Sequence, residues 1–178
     1  MATPELSTER LGLRPVRPAD SPFLYALMGH REVRRYLGGP VPHLRRLTNL
    51  LGLLKPHPGD AVWLVETGQR RIGLLSITRH KDGAEREVSY QLHPSAWGHG
   101  FATEAVRAVL HASPNRPLIA ETQVANAASR RLLGRVGMRP RTRLVRFGAE
   151  QIIYETAYPS DPPPAPRINP GTEPDPHS

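Results

Sequence analysis

The chain has 178 residues, no cysteine and a formal net charge of +8. That length suits one domain able to bury a core without covalent staples, and the lack of cysteine excludes disulfides and thiolate metal sites. No apolar stretch approaches the roughly 20 residues needed to span a bilayer, and no leading basic-plus-apolar segment reads as a secretion signal, so the expectation is a soluble, cytoplasmic protein.

In chain order, residues 1–8 are polar and read as loose. Leu11, Leu13 and Val16 suggest a short strand broken by Pro15 and Pro18. Asp20 or Ser21 is placed to cap a helix with Pro22 in its first turn, carrying Phe23, Leu24, Leu27 and Met28 on one side. After the Gly38–Pro40 break, residues 41–54 place Leu44, Leu47, Leu50, Leu51 and Leu54 at helical spacing. The period then changes. Ala61–Glu66, Ile72–Thr78 and Glu87–Leu92 are strands separated by glycine-containing turns, an antiparallel meander. In the third, Glu87, Ser89 and Gln91 alternate with Val88, Tyr90 and Leu92.

A helix over 101–112 follows, with Ala102, Ala105, Val106, Val109 and Leu110 on one apolar face. Residues 118–124 form a strand. Strand 87–92, this helix and strand 118–124 therefore make a crossover unit, which pairs its two strands in parallel. Asn126 opens a further helix with Ala128, Leu132, Leu133 and Val136 inward and Gly137 as its stop. Residues 142–147 and 151–158 close the domain as a hairpin around Gly148. From Pro159 onward proline fills eight of twenty positions, too few apolar side chains to fold, so 1–158 is expected to be the domain and 159–178 a disordered or extended tail.

The segment richest in chemistry is Trp97–Glu104, WGHGFATE, between a strand and a helix. Glycines 98 and 100 leave room for a ligand to approach the main chain, and the helix start offers unpaired N–H groups and a positive dipole end. The pattern describes an anion site suited to a pyrophosphate, or simply a glycine-rich turn. A dinucleotide fingerprint built on Gly98, Gly100 and Glu121 fails, because its third small position is Thr103 and the unit follows an antiparallel meander. The eight histidines show no metal-ligand spacing on a shared helix face, so no metal site is expected. His93 and His99 flank the loop as phosphate contacts or as plain exposed residues. The scattered arginines and scarce aromatics make nucleic-acid binding the weakest of the function classes.

WGHGFATEA resembles the coenzyme A pyrophosphate loop of the GNAT superfamily of N-acetyltransferases, with Gly100 and Ala102 at its small positions and Trp97 where Gln or Arg is common. The run is similar to the branch that includes ribosomal-protein N-terminal alanine and serine acetyltransferases. ERLGLRPVRPAD, EVSYQLHP and NAASRRLLGRVGM resemble that branch's opening strand, fourth strand and following helix, in order, over roughly residues 9–158.

The resemblance implies an α/β (α+β) fold: a mixed, mostly antiparallel sheet of six to seven strands with a splayed parallel pair, flanked by about four helices. It implies acetyl-CoA as cosubstrate and an amine as acceptor, either a protein N-terminus or a small molecule, in a monomer or homodimer. Residues 88–92, Leu92 among them, and 121–124 would line the pantetheine arm. Trp97, Gly98, His99, Gly100, Phe101, Ala102 and Thr103 would hold the pyrophosphate. Asn126 is the coenzyme-binding asparagine or a plain N-cap. Glu87 is the candidate base, or a solvent-facing strand glutamate beside Arg86. Many family members carry an acidic tyrosine at the position of Leu133; its absence leaves Ser129 as candidate acid, or as a helix-face serine bonding its own backbone. Tyr90 and Trp97 read as residues that pack or shape the cleft, and Arg34 and Arg35 as residues that greet an acidic acceptor. A coenzyme-binding regulatory module without turnover is the alternative.

Overall fold

A computed structural model describes residues 3–83, 85–114 and 117–156. The expected tail at 159–178 and the last two residues of the expected hairpin lie outside them. Eight strands form one sheet: β1 Leu6–Ser7, β2 Gly12–Pro15, β3 Ala61–Thr67, β4 Arg70–Arg79, β5 Arg86–Leu92, β6 Leu118–Gln123, β7 Met138–Arg146 and β8 Ala149–Thr156, in the order β1-β2-β3-β4-β5-β6-β8-β7. The strand beyond the expected count is β1, whose two residues pair with Leu13 and Gly12. Among the described residues, four α-helices accompany the sheet: α1 Ser21–Gly29, α2 His43–Leu54, α3 Phe101–His111 and α4 Ala127–Arg135.

All neighbouring strands are antiparallel except β5 and β6, which α3 connects. Their parallel pairing consists of Arg86↔Leu118 and Glu87↔Ile119 and then stops, so the two strands part immediately beyond Glu87. β6 is held on its other side by β8 over five register pairs. The sheet therefore has a fork near its middle without coming apart.

Apolar residues on both faces explain why β3 reads as an unbroken apolar run. Trp63 and Val65 join Leu75, Ile77, Val88 and Leu92 beneath Ala105, Val106 and Val109 of α3 and Leu132 and Leu133 of α4. Val62 and Leu64 join Leu74 beneath Leu24, Leu27 and Met28 of α1 and Leu50 of α2. The expected apolar face of α3 is the buried one. In α2 only Leu50 is buried, while Leu44, Leu47 and Leu51 face outward. Gly73 lets β4 approach β5: a Cβ there would lie 2.5 Å from the carbonyl oxygen of Gln91.

Asp20 stands at the N-cap of α1, yet its side chain makes no cap bond. Its fully buried carboxylate instead accepts from Arg14 at 2.8 and 3.0 Å, from Arg71 at 2.8 Å and from the Arg17 backbone N–H at 2.8 Å. Burial pushes this carboxyl upward, but the bonds outweigh it and bring it down to about 2. The cluster pins β2, β4 and the start of α1 together.

Candidate active site

Past the fork, β5 borders a cleft of about 500 Å³. On one side β5 contributes Tyr90, Gln91 and Leu92; the loop and first turn of α3 contribute Trp97, Gly98, Gly100, Phe101, Ala102 and Thr103. On the other side α4 and its cap contribute Asn126, Ser129, Arg131 and Arg135, and the connection between α1 and α2 contributes Glu32, Val33, Arg35 and Tyr36. Most of the residues singled out from the sequence thus meet around one opening. His99 and Glu87 stand outside the lining, as do residues 121–124, which were expected to line it from β6.

The loop has the form that its glycines require. Gly98 and Gly100 have φ of 79° and 78°, the left-handed region that glycine enters without steric cost. Gly100 is the N-cap of α3 and has no side chain to satisfy the first helical N–H groups, which leaves them for a ligand. A Cβ on Gly98 would meet nothing within 4 Å, so the loop is open to solvent there. Trp97 takes the place of the expected Gln or Arg with a structural bond: its indole N–H donates to the Leu92 carbonyl at 2.8 Å. That bond fixes the loop to the end of β5 and also engages a carbonyl expected to serve the coenzyme arm. The ring of His99 lies 5.5 Å from that of Phe101, and its carbonyl accepts from Arg10 Nη1 at 3.0 Å.

At α4, Asn126 Oδ1 accepts from the Ser129 N–H at 3.1 Å, so the N-cap reading is realised. Ser129 Oγ lies 2.8 Å from Tyr90 Oη. Sequence reading missed this pair, because it joins a strand and a helix 39 residues apart. Burial, opposed by the bond to Ser129, pushes the Tyr90 phenol up to about 12. Leu133, where the family's tyrosine was sought, is fully buried in the core.

Glu87 occupies the last paired position before the fork. Strand alternation puts it on the sheet face opposite Tyr90 and Ser129. Burial raises its carboxyl above the ordinary range; His80 and the Glu121 backbone N–H oppose the rise, and the carboxylates of Glu121 and Asp82 add to it. Glu121 is held by His80 Nε2 at 3.0 Å, Lys81 at 2.9 Å and Arg146 at 3.2 Å. Arg34 is not free to meet an acidic acceptor, since its guanidinium donates to the carbonyls of Leu37 and Gly39 at 2.6 and 3.1 Å. Of the two, Arg35 lines the cleft.

The sheet is thus forked at one parallel pair, and a glycine-opened helix start follows the strand that borders the fork. The model of the Acetyltransferase (GNAT) domain matches residues 10–139, and the chain belongs to that acetyltransferase family. No curated protein sequence matches it. Among solved structures, an acetyltransferase from Agrobacterium tumefaciens str. C58 superposes with a TM-score of 0.75 at 24% identity, covering 88% of this chain and 96% of that one. RimL, a ribosomal L7/L12 alpha-N-protein acetyltransferase solved with coenzyme A, superposes with a TM-score of 0.72 at 16% identity, covering 89% and 100%. Spermidine N-acetyltransferase from Vibrio cholerae, solved with CoA and spermine, gives 0.69 at 21%, covering 83% and 94%. At these identities the likeness is one of fold, and it includes the mixed sheet with a single parallel pair and four helices. Among the described residues, no helix is long and apolar enough to cross a membrane.

Proposed function

We propose that the chain transfers an acetyl group from acetyl-CoA to a primary amine by direct attack within a ternary complex. The observation that carries this reading is the position of the Gly98–Gly100 turn at the mouth of the fork. A pyrophosphate resting on the first N–H groups of α3 directs the attached pantetheine arm between β5 and β6, where the strand edges no longer serve one another. Arg131 and Arg135 line the same cleft and suit the phosphates of the nucleotide end. Asn126 caps α4 through Oδ1, and its amide nitrogen is left to donate to the arm.

The acceptor must attack as a neutral amine. A peptide α-amine has an ordinary pKa of about 7.7–8.0 and a lysine one of about 10.4, so an α-amine needs less help from a base. Glu87, beside the fork and raised by burial, takes the proton directly or through one water. The amine nitrogen bonds to the thioester carbon, the C–S bond breaks, and sulfur leaves with the electron pair. Ser129 supports the departing thiolate. Glu32, Arg35 and Tyr36 border the acceptor end, which fits a protein N-terminus or a small amine that carries its own polar groups. No metal takes part in this scheme, and it suits a protein that works in the cytoplasm.

The test is thiol release from acetyl-CoA over a panel of peptides and small amines, with the acetylated product identified by mass. Acetyl-CoA at about 100 times its Kd should also stabilise the fold by about 2.7 kcal/mol. Absence of both thiol release and stabilisation at millimolar acetyl-CoA would overturn the reading.

A further inference from the structure

Two hydroxyl groups face each other across the cleft wall. Tyr90 reaches it from β5, three residues beyond the fork, and Ser129 from the first turn of α4; both line the cleft, and their oxygens are 2.8 Å apart. Two hydroxyls carry two hydrogens, and the bond between them uses one. Whichever way that bond runs, one O–H remains to be offered elsewhere. The phenol is the more acidic hydroxyl and the alcohol oxygen the better acceptor, so Tyr90 donates and the spare hydrogen belongs to Ser129. The backbone N–H of Ser129 is fixed by Asn126, which holds the turn that carries the hydroxyl. Accepting a bond from Tyr90 also makes Ser129 a better donor, because chained hydrogen bonds polarise one another.

We propose that Tyr90 is a positioning residue: by donating to Ser129 Oγ it turns the Ser129 hydrogen toward the sulfur that leaves in acetyl transfer. This rests on the acetyltransferase reading above. As the C–S bond breaks, the electron pair stays on sulfur, and Ser129 donates a hydrogen bond to that thiolate while keeping its own proton. The proton released by the amine goes to Glu87, and the thiolate is protonated later by solvent. No net transfer from either hydroxyl is required, because a thiol with an ordinary pKa of about 8.5 already leaves as a stable anion. The phenol, pushed up to about 12 by burial, stays protonated throughout.

The deciding measurement is the titration of bound coenzyme A, read by thiolate ultraviolet absorbance in the wild type, Y90F, S129A, S129T and Y90F/S129A. The other charged groups along the cleft, Glu32, Arg35, Arg131 and Arg135, are the same in all five. A donor aimed at sulfur lowers the bound thiol's pKa, so it should rise in Y90F and S129A and return in S129T. In turnover, kcat should fall about tenfold in S129A and less in Y90F, with KM for acetyl-CoA little changed, as for loss of a donor used in the transition state. The double variant should be no worse than S129A, because the two residues act through one hydrogen. If Y90F folds poorly, 3-fluorotyrosine at position 90 keeps the shape and strengthens the donor, and the bound thiol's pKa should then fall. A wild type that binds no coenzyme A would overturn the acetyltransferase reading and this inference with it. Normal binding with a thiol titration unmoved by every change at 90 and 129, or fully additive losses in the double variant, would overturn this inference alone.

Discussion

Arg10 holds Glu104 across 94 residues of sequence: its Nε donates to Oε2 at 2.7 Å while Nη1 reaches the His99 carbonyl at 3.0 Å. The Thr8 hydroxyl adds a bond to Glu104 at 2.5 Å. The segment before β2 therefore grips both the glycine loop and the first turn of α3. Arg10→Ala should weaken acetyl-CoA binding about three- to tenfold by freeing the loop. Half of the Arg10 side chain is in solvent, so the stability cost should stay below about 1 kcal/mol. Calorimetric titration and thermal melts on one preparation separate these effects.

Gly100→Val should do more. The left-handed φ of 78° costs a β-branched side chain about 1–2 kcal/mol, and the added methyl groups crowd the approach to the helix start. Coenzyme affinity should fall by well over tenfold. Gly52→Ala is the control: it lies inside α2 with nothing within 4 Å of its Cβ, and should stabilise the fold by about 0.5–1 kcal/mol with binding unchanged. Loss of binding in Gly52→Ala, or retained affinity in Gly100→Val, would count against the loop as the phosphate site.

Glu87→Gln should separate stability from rate. The folded state holds this carboxyl above its ordinary range, so it favours folding when protonated and loses that contribution as pH rises through the raised value. At neutral pH the buried charge is a cost that Gln removes, and the variant should melt higher than the wild type. Transfer should slow, and the rise of kcat with pH that reflects ionisation of Glu87 should disappear. Transfer with an unaltered pH profile would remove Glu87 from the mechanism.

Asp20→Asn tests a second buried carboxylate. Its value is brought down to about 2 from an ordinary 3.8, so it stabilises the fold above the ordinary value, and that contribution is lost as pH falls through the folded one. The variant should lose roughly 2 kcal/mol at neutral pH and show a flatter stability curve between about pH 4 and 2. Urea unfolding at pH 7, 4 and 2 reads both.

Local pattern carried much of this architecture. The alternation of Glu87, Ser89 and Gln91 against Val88, Tyr90 and Leu92 fixed the two faces of β5, and the 3.6-residue spacing of Ala105, Val106 and Val109 fixed the buried side of α3. The glycines at 98 and 100 announced an open turn ahead of α3. Partnerships between distant residues were hidden. Asp20 looks like a helix cap by its place in the chain, but Arg71, 51 residues away, claims its carboxylate. Tyr90 looks like filling until Ser129 is set beside it, and Arg34 looks free until the chain turns at Gly38 and Gly39 and presents carbonyls to it. β1 is too short to show any period.

The parting of β5 from β6 just past Glu87 gives the molecule an unfinished seam along its middle. A ladder missing its central rungs can be completed by a thread laid into it, so on the proposed reading the cosubstrate would act as both reagent and splint. Resistance to heat and to proteases should therefore track the cell's supply of activated acetyl groups, and the folded lifetime of the chain becomes a gauge of the metabolite it consumes.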